Sequence, residues 1–82
     1  MKSFPELRAT MARYGITQQD MGKIIGDTYQ TFGRKLNEKS NFSYDDMIAI
    51  AKFFVDKGEE ASVDKLFFAW KFTNVNWQKV TV

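Results

Sequence analysis

The sequence predicts an all-α fold, a compact set of four or five short helices followed by an extended C-terminal tail. Three observations carry that expectation. Capping residues precede apolar stretches at Ser3, Thr17, Thr28, Ser43 and Ser62, and glycines stand where stretches stop, at Gly15, Gly26 and Gly58. The apolar residues between them recur at three- and four-residue spacing. Beyond Trp70 the spacing changes, and Phe72, Val75, Trp77, Val80 and Val82, with Thr and Lys between, read as strand.

The first helix is expected to start at Ser3, with Glu6 completing a capping box and Pro5 tolerated in the first turn. Leu7, Met11 and Tyr14 then share a face, and Gly15 ends the helix. Thr17 caps a second helix with the apolar stripe Met21, Ile24 and Ile25, closed by Gly26. Thr28 caps a third, in which Phe32 and Leu36 point to one side and Tyr29, Gln30, Thr31 and Arg34 to the others. A polar connector, Asn37 to Asn41, leads to Ser43, which with Asp46 caps a fourth helix. Its Met47, Ile48, Ile50, Ala51, Phe54 and Val55 are expected to form a wide buried face ending before Gly58. Ser62 caps a short fifth helix reaching about Trp70.

At 82 residues the chain suits one small domain that buries about 60 to 65% of its unfolded surface. Aromatic residues make up 16% of it, so a few bulky side chains can supply much of the burial. The sequence has no Cys and no His, which removes disulfides, thiolate nucleophiles, the usual general base and the commonest metal ligands. It is therefore read as a non-enzyme without metal, cofactor or evident small-molecule ligand. Its only candidate acids, Asp45 and Asp46, fit better in the first turn of the fourth helix, where carboxylates favour the helix dipole. No apolar run approaches the roughly 20 residues needed to cross a bilayer, and MKSFPELR lacks a signal-peptide apolar region. Charge is uneven: residues 1–40 carry seven Lys or Arg against four acids, and residues 41–82 carry five against six. No repeat or linker divides the chain.

Residues 7–55 resemble the lambda-repressor-like helix-turn-helix family of phage repressor, Cro and xenobiotic-response-element regulators. The matching residues are Gly15 to Gln18, Gly22, Gly26, Thr28, Thr31, Phe32, Arg34 and Asn37. The resemblance implies a helix-turn-helix over residues 17–37 within a DNA-binding domain of residues 1–69. Residues 70–82 are expected to form the extended tail. Residues 28–37 would then be a recognition helix entering the major groove of double-stranded DNA. Met21, Gly22, Ile25, Gly26, Phe32 and Leu36 have structural work in this reading, with Gly22 marking a close approach of two helices and Gly26 a left-handed turn.

The resemblance assigns base reading to Tyr29, Gln30 and Arg34, with Gln18 touching the backbone and bracing the first of them. Gln pairs bidentately with adenine and Arg with guanine O6 and N7, each good pair discriminating by about 1–3 kcal/mol. Tyr29 can pack on a thymine methyl, bond a phosphate or cover the helix start. Thr28, Thr31, Lys35, Asn37, Lys39, Ser40 and Asn41 are expected to donate to phosphates. The implied setting is the cytoplasm of a bacterial or phage-infected cell.

The sequence departs from the family in three places. An Arg in the first helix and a Glu late in the recognition helix are common in the family, and Met11 and Leu36 stand there, an apolar pair that preserves packing. Gly33 lies inside the recognition helix, either to admit the DNA backbone or to accommodate the first helix. Glu38 replaces the glycine usual after the Asn and adds a negative charge beside the expected phosphates.

About half of Phe67, Phe68, Trp70 and Phe72 are expected to close the core. Phe72, Val75, Trp77 and Val80 would pair as a strand or hairpin with a second copy, giving a homodimer on a palindromic operator. The alternative from a different class is a protein-interaction module on the same fold, an antirepressor or an antitoxin.

Overall fold

In a computed structural model, which describes residues 2–72, α1 spans Pro5–Tyr14, α2 Gln18–Ile25, α3 Tyr29–Leu36 and α4 Tyr44–Asp56. A widened π-type turn, Asp64–Phe68, and a tighter 3-10 turn, Ala69–Phe72, follow. Every regular element among the described residues is helical. α2 packs against both α3 and α4, and α1 against Asp64–Phe68.

Capping residues start α2, α3 and α4 as the sequence predicts. Thr17 and Ser43 form reciprocal capping boxes with Asp20 and Asp46, and the Thr28 hydroxyl accepts from the Thr31 N–H. The Ser62 hydroxyl accepts from the Lys65 N–H, which opens the C-terminal segment as expected.

All four α-helices end in one motif, a left-handed residue followed by an amide that reaches back to the last turn. Gly15, Gly26 and Gly58 hold three of the left-handed positions, and Glu38, at φ 62°, holds the fourth. At α3 the Glu38 N–H donates to the Lys35 carbonyl at 3.1 Å and the Lys39 N–H to the Arg34 carbonyl at 2.8 Å. Glu38 thus occupies a position that glycine fills more cheaply.

The start of α1 corrects the sequence reading. Its N-cap is Phe4, itself left-handed at φ 51°, and no side chain caps the helix. The Ser3 hydroxyl instead donates to the Leu36 carbonyl at 2.5 Å. The physical reason is aromatic burial. Phe4 turns inward so that its ring meets Phe42 and Trp70 with centroids 5.3 Å away, and Phe67 at 6.0 Å. Phe42 also meets Phe32 at 5.7 Å and Phe67 at 5.1 Å, joining α3 to the C-terminal segment.

Leu7, Met11, Met21, Phe32, Leu36, Ile50, Ala51, Phe54, Leu66 and Phe67 complete the buried core. The buried face of α4 is narrower than expected. Ile48 and Val55 are 41% and 50% exposed, whereas Ile50, Ala51 and Phe54 are buried. In the C-terminal segment Phe67 is buried and Trp70 half-buried, whereas Phe68 and Phe72 reach the surface. Trp70, Lys71 and Phe72, expected at the start of the extended tail, are wound into the 3-10 turn, with Trp70 packed on Phe4. The expected strand or hairpin, with Val75, Trp77 and Val80, lies outside the described residues.

Candidate nucleic-acid interface

The turn between α2 and α3 fixes the pair. Gly26 ends α2 at φ 76°, and the Asp27 N–H reaches back to the Gly22 carbonyl at 2.7 Å. A Cβ at Gly22 would lie 2.8 Å from the Asp27 carbonyl oxygen and 2.9 Å from the Thr28 carbonyl carbon. The contact is closer than a Cβ tolerates, because the obstacle is the backbone of the turn, which cannot rotate aside.

With the turn pinned, α3 directs Phe32 and Leu36 into the core and leaves Gln30, Arg34 and Asn37 exposed, four and three residues apart on one face. Tyr29, at the start of α3, is 54% exposed. Gln18 is exposed at the start of α2, close beside α3: its Oε1 lies 2.7 Å from where a Cβ on Gly33 would be. The space that Gly33 leaves is therefore filled by α2.

Charge on α3 is sharply divided. Lys35 donates to Asp27 and Asp46, 2.7 Å from each, and only 14% of its side chain is exposed. Burial alone would lower the Lys35 pKa, but hydrogen bonds to the two carboxylates outweigh it and the pKa is raised. Burial would likewise raise the Asp46 pKa, and the bonds from Lys35 and the Ser43 backbone hold it below the ordinary carboxylate value. Lys35 is thus withdrawn from any outside anion, contrary to the role the sequence reading gave it. Its neighbour Arg34 is exposed and has no hydrogen-bond or ion-pair partner among the described residues.

The other expected phosphate donors differ in availability. The Thr28 hydroxyl is engaged as the cap and donates to Thr31 Oγ1 at 3.1 Å, which leaves Thr31 its own proton to give. Asn37 accepts from Arg8 Nη2 through Oδ1 at 2.9 Å and keeps its amide N–H groups. Lys39 and Asn41 are exposed and Ser40 is half-buried. Glu38 pairs with Lys71 at 3.1 Å.

Sequence reasoning missed Arg8. Its guanidinium donates to the Ser3 carbonyl at 2.6 Å, the Leu36 carbonyl at 3.2 Å and Asn37, placing a cation at the negative end of the α3 dipole. It ties α1 to the end of α3, where Met11 and Leu36 supply only apolar contact. No local pattern announces a contact across 28 residues.

Among the described residues, no group of three His, Cys, Asp or Glu could hold a metal ion, and no helix is long and apolar enough to cross a membrane. No family model, curated protein or solved structure matches the chain.

Proposed function

We propose that the chain is a sequence-specific DNA-binding transcriptional regulator of the phage repressor or Cro kind, with α3 as its recognition helix. The observation that carries this reading is the Arg34 guanidinium, without a partner among the described residues, on the exposed Gln30–Arg34–Asn37 face beside a Lys35 neutralised within the fold. A solvated face needs no such division. A helix that reads bases does, because Arg is the side chain that pairs bidentately with guanine. The short helix pair and its backbone-tight turn at Gly22 support the same reading, since a groove-docked helix must be held rigidly. A homodimer joined through residues 72–80 would set two copies of α3 about 34 Å apart, one DNA turn, and call for a palindromic operator.

The second reading, a protein-binding module of antirepressor or antitoxin type, is favoured by the cleft of about 210 Å³ that Phe4, Phe42, Met47, Phe67 and Phe68 line and Glu38, Ser40, Asn41 and Lys71 complete. Selection of bound sequences from a random DNA pool, with wild type and Arg34→Ala in parallel, separates the two. A palindromic consensus that loses a guanine preference in the variant supports the first; no enrichment at low salt sinks it. Sedimentation of a chain ending at Phe72 tests the tail, and an undiminished dimer refutes its role.

A further inference from the structure

Resting on the reading of α3 as a recognition helix, we infer that Gly33 is a positioning residue. Its bare backbone leaves the space in which the Gln18 amide lies against the DNA-facing edge of α3. Gly33 has no left-handed backbone to justify it, and a helix-interior glycine weakens its helix relative to Ala. A Cβ there would meet one obstacle, the end of the Gln18 side chain, with Oε1 at 2.7 Å and Cδ at 3.7 Å. The amide and a methyl at residue 33 therefore exclude one another. Gly33 lies one turn from both Tyr29 and Asn37, so the seated amide joins the polar row along that edge. Its N–H groups serve a backbone phosphate or a base edge there, one turn beyond the first recognition side chain, Tyr29.

The chain thus gives up helix stability at residue 33 to make room for a donor contributed by α2. Gln18 is exposed and its end is flexible, so Gly33→Ala displaces the amide without disturbing the core. That separates the proposal from a packing role. It also differs from direct approach of DNA to Gly33, which would not involve Gln18.

The test measures affinity for the DNA that wild type selects, by fluorescence anisotropy, alongside thermal unfolding, for Gly33→Ala, Gln18→Ala and the double variant. The expected result is a Gly33→Ala protein at least as heat-stable as wild type but about tenfold weaker in binding, the equivalent of one charge-assisted hydrogen bond. Gln18→Ala should lose a similar amount, and the double variant no more than either single one. Wild-type affinity in Gly33→Ala, a lowered melting temperature in it, or losses that multiply in the double variant would each overturn the proposal. If wild type selects no DNA, the recognition-helix reading falls first and takes this inference with it. A failure confined to the variants overturns this inference alone.

Discussion

The Lys35 ammonium lies 2.7 Å from the Asp46 carboxylate, and through this contact the last turn of α3 is fastened to the first turn of α4. Asp46 also accepts from the Ser43 N–H at 3.0 Å, so one carboxylate serves both the helix cap and the ion pair. Lys35→Met would leave Asp46 and Asp27 facing each other with no cation between them. The expected loss is about 1–3 kcal/mol, less than for a fully buried pair because water still reaches these groups. Urea unfolding measures it. In binding, the salt dependence should stay unchanged, whereas Lys39→Ala should lower the slope of log K against log salt by about one.

The same contact sets a pH dependence. Asp46 has a folded pKa below its unfolded value, so its contribution is present above the unfolded carboxylate pKa and is lost as pH falls through the folded one. The Lys35 pKa is raised, so its contribution is complete below its unfolded pKa and is lost as alkaline pH passes the folded one. Stability should therefore fall in acid, below about pH 4, and again above about pH 10.5. Asp46→Asn should flatten the acid limb when unfolding is followed from pH 2 to 6.

Gly22→Ala should destabilise the fold by about 1–3 kcal/mol, the usual range for overpacking, because the added methyl meets the Asp27 and Thr28 backbone. A chemical melt with an unchanged slope and a lower midpoint would bear this out; an unchanged midpoint would show that the turn can shift.

Glu38→Gly should raise stability by roughly 0.5–1 kcal/mol, because relief of the left-handed backbone exceeds the added freedom of glycine in the unfolded chain. The Glu38–Lys71 pair that it removes is half-exposed on both sides and contributes little. The change also takes a negative charge from beside Asn37 and Lys39. DNA affinity should rise with the melting temperature, which titration and calorimetry on one preparation would read.

Thr17, Thr28, Ser43 and Ser62 were legible as starts because a cap acts over three residues, and Gly15, Gly26 and Gly58 as stops because a left-handed residue is a local demand. Met21, Phe32 and Leu36 were legible as core from their spacing. Ser3 looked like a cap by the same local rule and failed because burial of Phe4 among Phe42, Phe67 and Trp70 decided the entry to α1. Trp70–Phe72 wind into a 3-10 turn against the strand-like pattern, with Trp70 packed on Phe4 of the same cluster. In the candidate site, the exposure of Gln30 and Arg34 followed from helical period. The neutralisation of Lys35 and the grip of Arg8 on Leu36 did not, because each depends on partners 8 to 28 residues away.

Four helices end in one motif, and the end without glycine belongs to α3. Local opening is graded by how much free energy each segment stores. The connector after Leu36 should therefore be the first helix end to fray. Its Lys39 amide, bonded to the Arg34 carbonyl, should exchange with solvent deuterium sooner than the Ile16, Asp27 and Glu59 amides, which hold the matching bonds of the other helices. That order would make the connector after α3, rather than the fastened last turn itself, the edge that yields first, able to settle against a partner while the turn at Gly22 stays closed.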